Sequence, residues 1–152
     1  TDGTEIAQLD TVAENATGYL LSQSGNYFYT SSVAVSDVIL PEGWKIPTWD
    51  DWNLLDTYLH KDVSLLKAGN WRSIAEEPVE EVTNLSGFNA QPVGLWLRRY
   101  FVDYENRYLA YWTFDDLGRI AEKACMMTSS SNTILEGRVD VDRAYAIRLL
   151  RK

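Results

Sequence analysis

The stretch from Gly43 to Leu59, Gly-Trp-Lys-Ile-Pro-Thr-Trp-Asp-Asp-Trp-Asn-Leu-Leu-Asp-Thr-Tyr-Leu, constrains the fold of this chain more than any other segment. Proline biases the residue before it away from helical backbone, so Ile46-Pro47 ends an extended approach. Thr48 is placed to cap the helix that follows, its side chain accepting from the backbone N–H of Asp51. Asp50 and Asp51 put negative charge in the first turn, where free amides and the helix dipole favour it. Trp52, Leu55 and Leu59 then recur at helical spacing, with Trp49 and Tyr58 beside them, which predicts one apolar face of an amphipathic helix over 48–59. Taken alone, this is a well-capped core helix with no chemistry of its own.

Around that helix the rest of the chain can be placed coarsely. Residues 1–17 are polar and mixed, and read as a flexible arm or linker ahead of a single domain over 18–152. Gly18 to Leu21 predicts a short strand, and Tyr27-Phe28-Tyr29 opens a second β-prone run. Val33 to Leu40 is compatible with extended chain or a short helix, and Val63 to Trp71 with a strand or a second short helix. Leu95 to Val102 is one β-prone run, followed by a loop or tight turn at 103–107. Further strands are expected over Tyr108–Phe114, Ile120–Met127, Thr133–Val139 and Ala144–Arg151. In the last of these Tyr145, Ile147 and Leu149 alternate with Ala146 and Arg148, as in a half-buried strand. A helix early and antiparallel strands late define an α+β fold class, with no parallel βαβ unit.

Composition removes several functions. A net charge of −8 over 152 residues lacks the basic footprint that nucleic acid or an anionic membrane surface requires. No apolar run has the length of a membrane span. The single cysteine, Cys125, excludes an internal disulfide and a multi-cysteine zinc site. With His60 the only histidine, placed before it in the chain, no nucleophilic triad can be drawn. His60 instead suits the C-terminal end of the helix dipole. The acidic run Glu76-Glu77-Pro78-Val79-Glu80-Glu81 lacks the spaced oxygen ligands and turn glycines of a calcium loop, so it reads as a solvated loop. No metal or cofactor is expected.

Several segments in series carry a resemblance. Leu40-Pro41-Glu42-Gly43-Trp44-Lys45-Ile46-Pro47-Thr48-Trp49-Asp50-Asp51-Trp52 resembles the opening Cys-Pro-x-Gly-Trp signature of the Fibrobacter succinogenes major paralogous domain family. Leu66-Lys67-Ala68 with Asn70-Trp71, and Ser86 to Gly94, are similar to its next two motifs. Tyr111-Trp112-Thr113 and Ala144 to Leu150 are similar to its aromatic strand and its closing strand. The likeness runs in order over about 38–152. The Ile-Pro-Thr-x-x-Asp-Trp step is also similar to one in the formylglycine-generating, sulfatase-modifying enzymes, and this implies a C-type-lectin-like fold, a twisted antiparallel sheet with flanking helices and much irregular loop. The carboxylate motifs of calcium-dependent lectins are incomplete here, because Val93 follows Gln91-Pro92 and Val79 follows Glu77-Pro78.

What the resemblance implies is a noncatalytic, extracytoplasmic binding or adhesion module, with a glycan or a surface protein as partner. The residues expected to form that site are the basic and aromatic group Trp96, Arg98, Tyr100, Tyr104 and Arg107, types favoured at interface centres. The bland alternative makes Trp96 and Tyr100 core, with the arginines only flanking a strand. Two further readings compete: a scaffold domain of a larger surface protein, and a hydrolase using paired carboxylates among Asp50, Asp51, Asp115, Asp116, Asp140 and Asp142. Finally, the two family cysteines align with Leu40 and Leu149. The resemblance therefore implies that these leucines are buried against each other where the family has a cysteine pair.

Overall fold

A computed structural model describes residues 5–13, 15–79, 82–97, 100–102, 104–140 and 142–152, with backbone alone at 37 and 100–102. The architecture is α+β. Among the described residues, ten short strands form three antiparallel sheets, and one helix of ten residues lies against them. The first sheet joins β1 (Tyr19–Leu21), β2 (Tyr27–Thr30), β9 (Arg143–Tyr145), β4 (Leu95–Leu97) and β5 (Tyr100–Val102) in that order. The second pairs β3 (Trp44–Lys45) with β10 (Leu150–Arg151), and the third runs β6 (Tyr108–Tyr111), β7 (Lys123–Thr128), β8 (Leu135–Arg138). A four-residue helix, α1 (Ser31–Ala34), follows β2, and the main helix, α2, spans Trp49–Tyr58.

The local chemistry of α2 is the one predicted. Asp51 N donates to Thr48 Oγ1 at 3.3 Å and Thr48 N donates to Asp51 Oδ2 at 2.8 Å, a reciprocal cap. Lys45 Nζ lies 2.6 Å from the same Asp51 oxygen, so β3 is tied to the helix it precedes. At the other end His60 and Lys61 turn left-handed, with φ of 53° and 61°, and the helix stops. Asp56 on α2 accepts from Thr133 Oγ1 at 2.6 Å and from Ile134 N at 3.1 Å, which fastens the helix to the connection between β7 and β8.

Period-two alternation in the third sheet divides the core. Leu109, Tyr111, Cys125 and Met127 point one way and pack with Trp52, Leu59, Leu66 and Trp71. Ala110 and Ala124 point the other way and, with Trp112, pack with Ile46, Phe114 and Tyr145. β6 is thus buried on both faces. Trp112 donates its Nε1–H to Tyr29 O at 2.7 Å, and Trp71 shares its own between Ala68 O and Ala90 O, at 3.0 and 3.2 Å. These two indoles therefore bury large apolar area without stranding their donors. Gly94 adopts φ +82°, and a Cβ there would sit 3.1 Å from the backbone N of Glu105, so the approach to β4 needs glycine.

Several expectations are corrected. The run Leu95–Val102 is two paired strands, with Leu97 opposite Tyr100, and not one. Ala144–Arg151 likewise divides, β9 pairing with β2 and β4 and β10 with β3. Val33–Leu40 holds the end of α1 (Ser31–Ala34) and a 3-10 turn at Asp37–Ile39 rather than a strand, and Val63–Leu65 forms a single 3-10 turn. The polar composition of 1–17 predicts a loose arm. Its described part instead runs along the edge of β1, where Leu9 N donates to Tyr19 O and Tyr19 N to Ala7 O, and Val12 is buried beneath the first sheet. Unpaired edge groups of β1 account for this, since any chain lying beside them satisfies them. Leu40 and Leu149 are half-buried rather than buried, and both pack on the cluster around Trp112 and Ile46.

Candidate functional site

Of the residues expected to form a basic and aromatic surface, the three whose side chains are described go to different places. Trp96 is half-buried against the small cluster of Val12, Leu20 and Phe28, whereas Tyr104 packs on the cluster around Trp112 and pairs with Tyr108 at 4.7 Å. Arg107 is held 3.2 Å from Glu76, in the acidic loop. Arg98 lies outside the described residues, as does the Tyr100 side chain. The acids Asp115 and Asp140 are engaged by Arg119 and by Arg138 and Arg143, and Asp51 by Lys45.

Tyr19, Tyr27 and Tyr29 come nearest to an aromatic platform. They share the outer face of the β1–β2 hairpin, because Leu20 and Phe28 take the inner one. Their rings are tilted, at 46° between Tyr19 and Tyr27 and 49° between Tyr19 and Tyr29, rather than coplanar.

An apolar concavity lies elsewhere. A groove of about 550 Å³ opens between α2 and the C-terminal segment. Leu54, Leu55 and Tyr58 form its helical wall, Trp52 and Phe88 its aromatic floor, and Leu149 and Leu150 the opposite wall. Trp52 stacks on Tyr111, with centroids 5.7 Å apart and planes 9° apart, and meets the edge of Phe88 at 6.1 Å. At the rim Leu54 and Tyr58 are 72% and 78% exposed. Tyr58 therefore does not belong to the buried face of α2 as the spacing predicts. Leu54 and Tyr58 stand one turn apart, off the Trp52–Leu55–Leu59 stripe. That second i, i+4 apolar pair is the signal that sequence reading could have used.

The electrostatics of the groove are simple. Arg148 is half-buried, its guanidinium carbon 4.1 Å from the centroid of Phe88. Burial pushes the Tyr111 hydroxyl up to about 12, against a small opposing pull from Arg148, so it stays a neutral phenol. Burial works to raise the Asp51 carboxyl, but Lys45 and the Thr48 N–H and hydroxyl outweigh it and hold the group below the usual carboxylate value. Trp52 Nε1 is buried without a partner among the described residues. Cys125 is fully buried, and burial pushes its thiol well above the ordinary value, with Asp56 adding to the shift, so it is no nucleophile. His60 is exposed beyond the helix end.

Fold and site together define a small α+β domain with a tryptophan-braced core and one open apolar groove. The chain belongs to the family of the Fibrobacter succinogenes major domain, Fib_succ_major, whose model matches residues 1–151. No curated protein and no solved structure matches it. The motif segments quoted above supply the core: Trp71 and Trp112 are fully buried, as is Tyr145 of the closing segment. Among the described residues no helix is long and apolar enough to cross a membrane.

Proposed function

We propose that this domain is a noncatalytic binding module acting outside the cytoplasm, and that its partner is another protein seated in the groove beside α2. One observation carries the reading: the exposed pair Leu54 and Tyr58 edges a groove whose remaining walls are apolar and aromatic. Large apolar side chains left in water forgo about 1.5–3 kcal/mol each, which a covering partner recovers. Contiguous apolar surface next to a concavity is the usual mark of an interaction site, and tyrosine and leucine anchors flanked by an arginine suit an interface centre. A glycan would need coplanar aromatic faces ringed by hydrogen-bonding groups, and this groove offers neither.

The test is selection of a displayed random peptide library on the immobilised domain, repeated on a Leu54→Asp, Tyr58→Ser double variant. Both positions are exposed, so the variant should keep the wild-type circular dichroism and melting temperature. The expected result is enrichment on the wild type and loss of binding on the variant. Peptides that bind both proteins equally, or no enrichment at all, would refute the groove as the site.

A further inference from the structure

We infer that the protein segment received by this groove presents an aspartate or glutamate beside its apolar side chains, and that Arg148 is the residue that selects it. The inference rests on the groove being the binding site. Arg148 lines the groove between the helical wall and Leu149 and Leu150. Its guanidinium rests over Phe88, and among the described residues it has no carboxylate and no hydrogen-bond acceptor. Four other described arginines do have carboxylate partners. Arg107 holds Glu76, Arg119 holds Asp115, and Arg138 and Arg143 both hold Asp140.

The groove itself contains no anion free to answer that charge. Asp51 is the one acid in its lining, and it is taken by Lys45 at 2.6 Å and by the Thr48 backbone and hydroxyl. A chain of net charge −8 therefore presents, among the described residues, an unanswered cation at an apolar concavity. Contact with a ring limits the side chain's freedom while leaving the in-plane N–H donors available. Those donors match a carboxylate in a forked, bidentate geometry. Surrounding leucines keep water away from such a pair once a partner is seated, so it is screened less than a surface ion pair. Leu149 and Leu150 follow Arg148 directly in the chain, so an acid reaching the guanidinium brings its neighbours against apolar wall. The segment that fits is apolar with an acid within it.

The same library, selected on wild type, Arg148→Lys, Arg148→Met and Arg148→Glu, decides the matter. On the wild type the enriched peptides should pair Asp or Glu with large apolar residues, and their affinity should fall as salt is raised from 0.05 to 0.5 M. The acidic preference should weaken on Arg148→Lys, vanish on Arg148→Met, and turn to Lys or Arg on Arg148→Glu. The best wild-type peptide should lose tenfold or more in affinity on Arg148→Met. Enriched peptides without an acid, or with an acid whose preference survives Arg148→Glu, would overturn the inference. If those peptides are still lost on the Leu54→Asp, Tyr58→Ser variant, the groove remains the site and only the role of Arg148 fails. Melting each variant separates lost recognition from lost folding. Dimerisation of the wild-type chain in sedimentation, abolished by Leu54→Asp, would give the groove to a second copy and overturn the inference as well.

Discussion

Asp51 joins the most local feature of the sequence to the stability of the whole domain, and two substitutions separate what it contributes. Its Oδ2 accepts from Thr48 N at 2.8 Å and Thr48 Oγ1 at 3.0 Å, and lies 2.6 Å from Lys45 Nζ. Asp51→Asn keeps an oxygen able to accept from Thr48 but removes the charge. It forfeits a partly exposed ion pair and the favourable charge in the first helical turn, together about 1 kcal/mol. Asp51→Ala removes the reciprocal cap as well, adding about 1 kcal/mol. At this chain length each kcal/mol moves the melting temperature by about 2–4 °C. At pH 7, Asn should therefore melt about 2–4 °C below wild type and Ala about 4–8 °C below. The folded-state carboxyl titrates below its unfolded value, so its stabilisation is complete above the unfolded value of about 4 and is lost as pH falls through the folded one. Melts followed by circular dichroism from pH 7 down to pH 2 should show wild type and Asp51→Asn converging. A gap that stays constant over that range, or no gap at pH 7, would refute the assignment of the stabilisation to charge.

Two further outcomes are expected. Asp56→Ala should destabilise by about 2–4 kcal/mol, because it removes a charged acceptor and strands the Ile134 N–H; hydrogen exchange at that amide should quicken, and unchanged protection would count against the latch. Cys125 should resist a thiol-specific chromogenic reagent in the native state and react fully only in denaturant, and fast native labelling would contradict its burial.

How far the sequence could be read follows from how local each signal is. The cap, first turn and buried stripe of α2 are set by residues within a dozen positions of one another, and the helix was legible apart from the exposed face of Leu54 and Tyr58. Alternation in the closing segment was legible too, since Tyr145, Ile147 and Leu149 all pack on the cluster around Trp112. What alternation cannot say is which strand lies alongside. The same segment pairs first with β2 and β4 and then with β3, a choice made by tertiary packing. Leu95–Val102 misled for a related reason: the run is broken only by Arg98-Arg99 and holds no Gly, Pro, Asn or Asp to mark the reversal between Leu97 and Tyr100. Closeness in sequence likewise does not make a shared surface of Trp96 and Tyr104. Burial sent Trp96 and Tyr104 to different clusters. The groove was illegible as a whole, its helical wall coming from Leu54 to Tyr58, its floor from Phe88 and its far wall from Leu149 and Leu150.

The motif segments do more than fill the core, and this bears on which parts of the groove can vary. Phe88 lies in the segment Ser86–Gly94 and Arg148 in Ala144–Leu150, so the cation and the ring beneath it are both carried by stretches that resemble the family. Leu54 and Tyr58 fall after the opening motif, which ends at Trp52. Floor and rim thus answer to different demands. The floor is built from residues that also hold the closing segment against the third sheet, through the Phe88, Tyr111 and Trp52 rings. The rim makes no comparable contribution, since side chains as exposed as Leu54 and Tyr58 add little to folding. A purely structural Arg148 would account for its place over Phe88 but not for its lack of an acceptor among the described residues, where the half-buried Arg107 and Arg143 have one. Packing therefore explains where the guanidinium sits, and the proposed recognition of an acid would explain why its donors are left open.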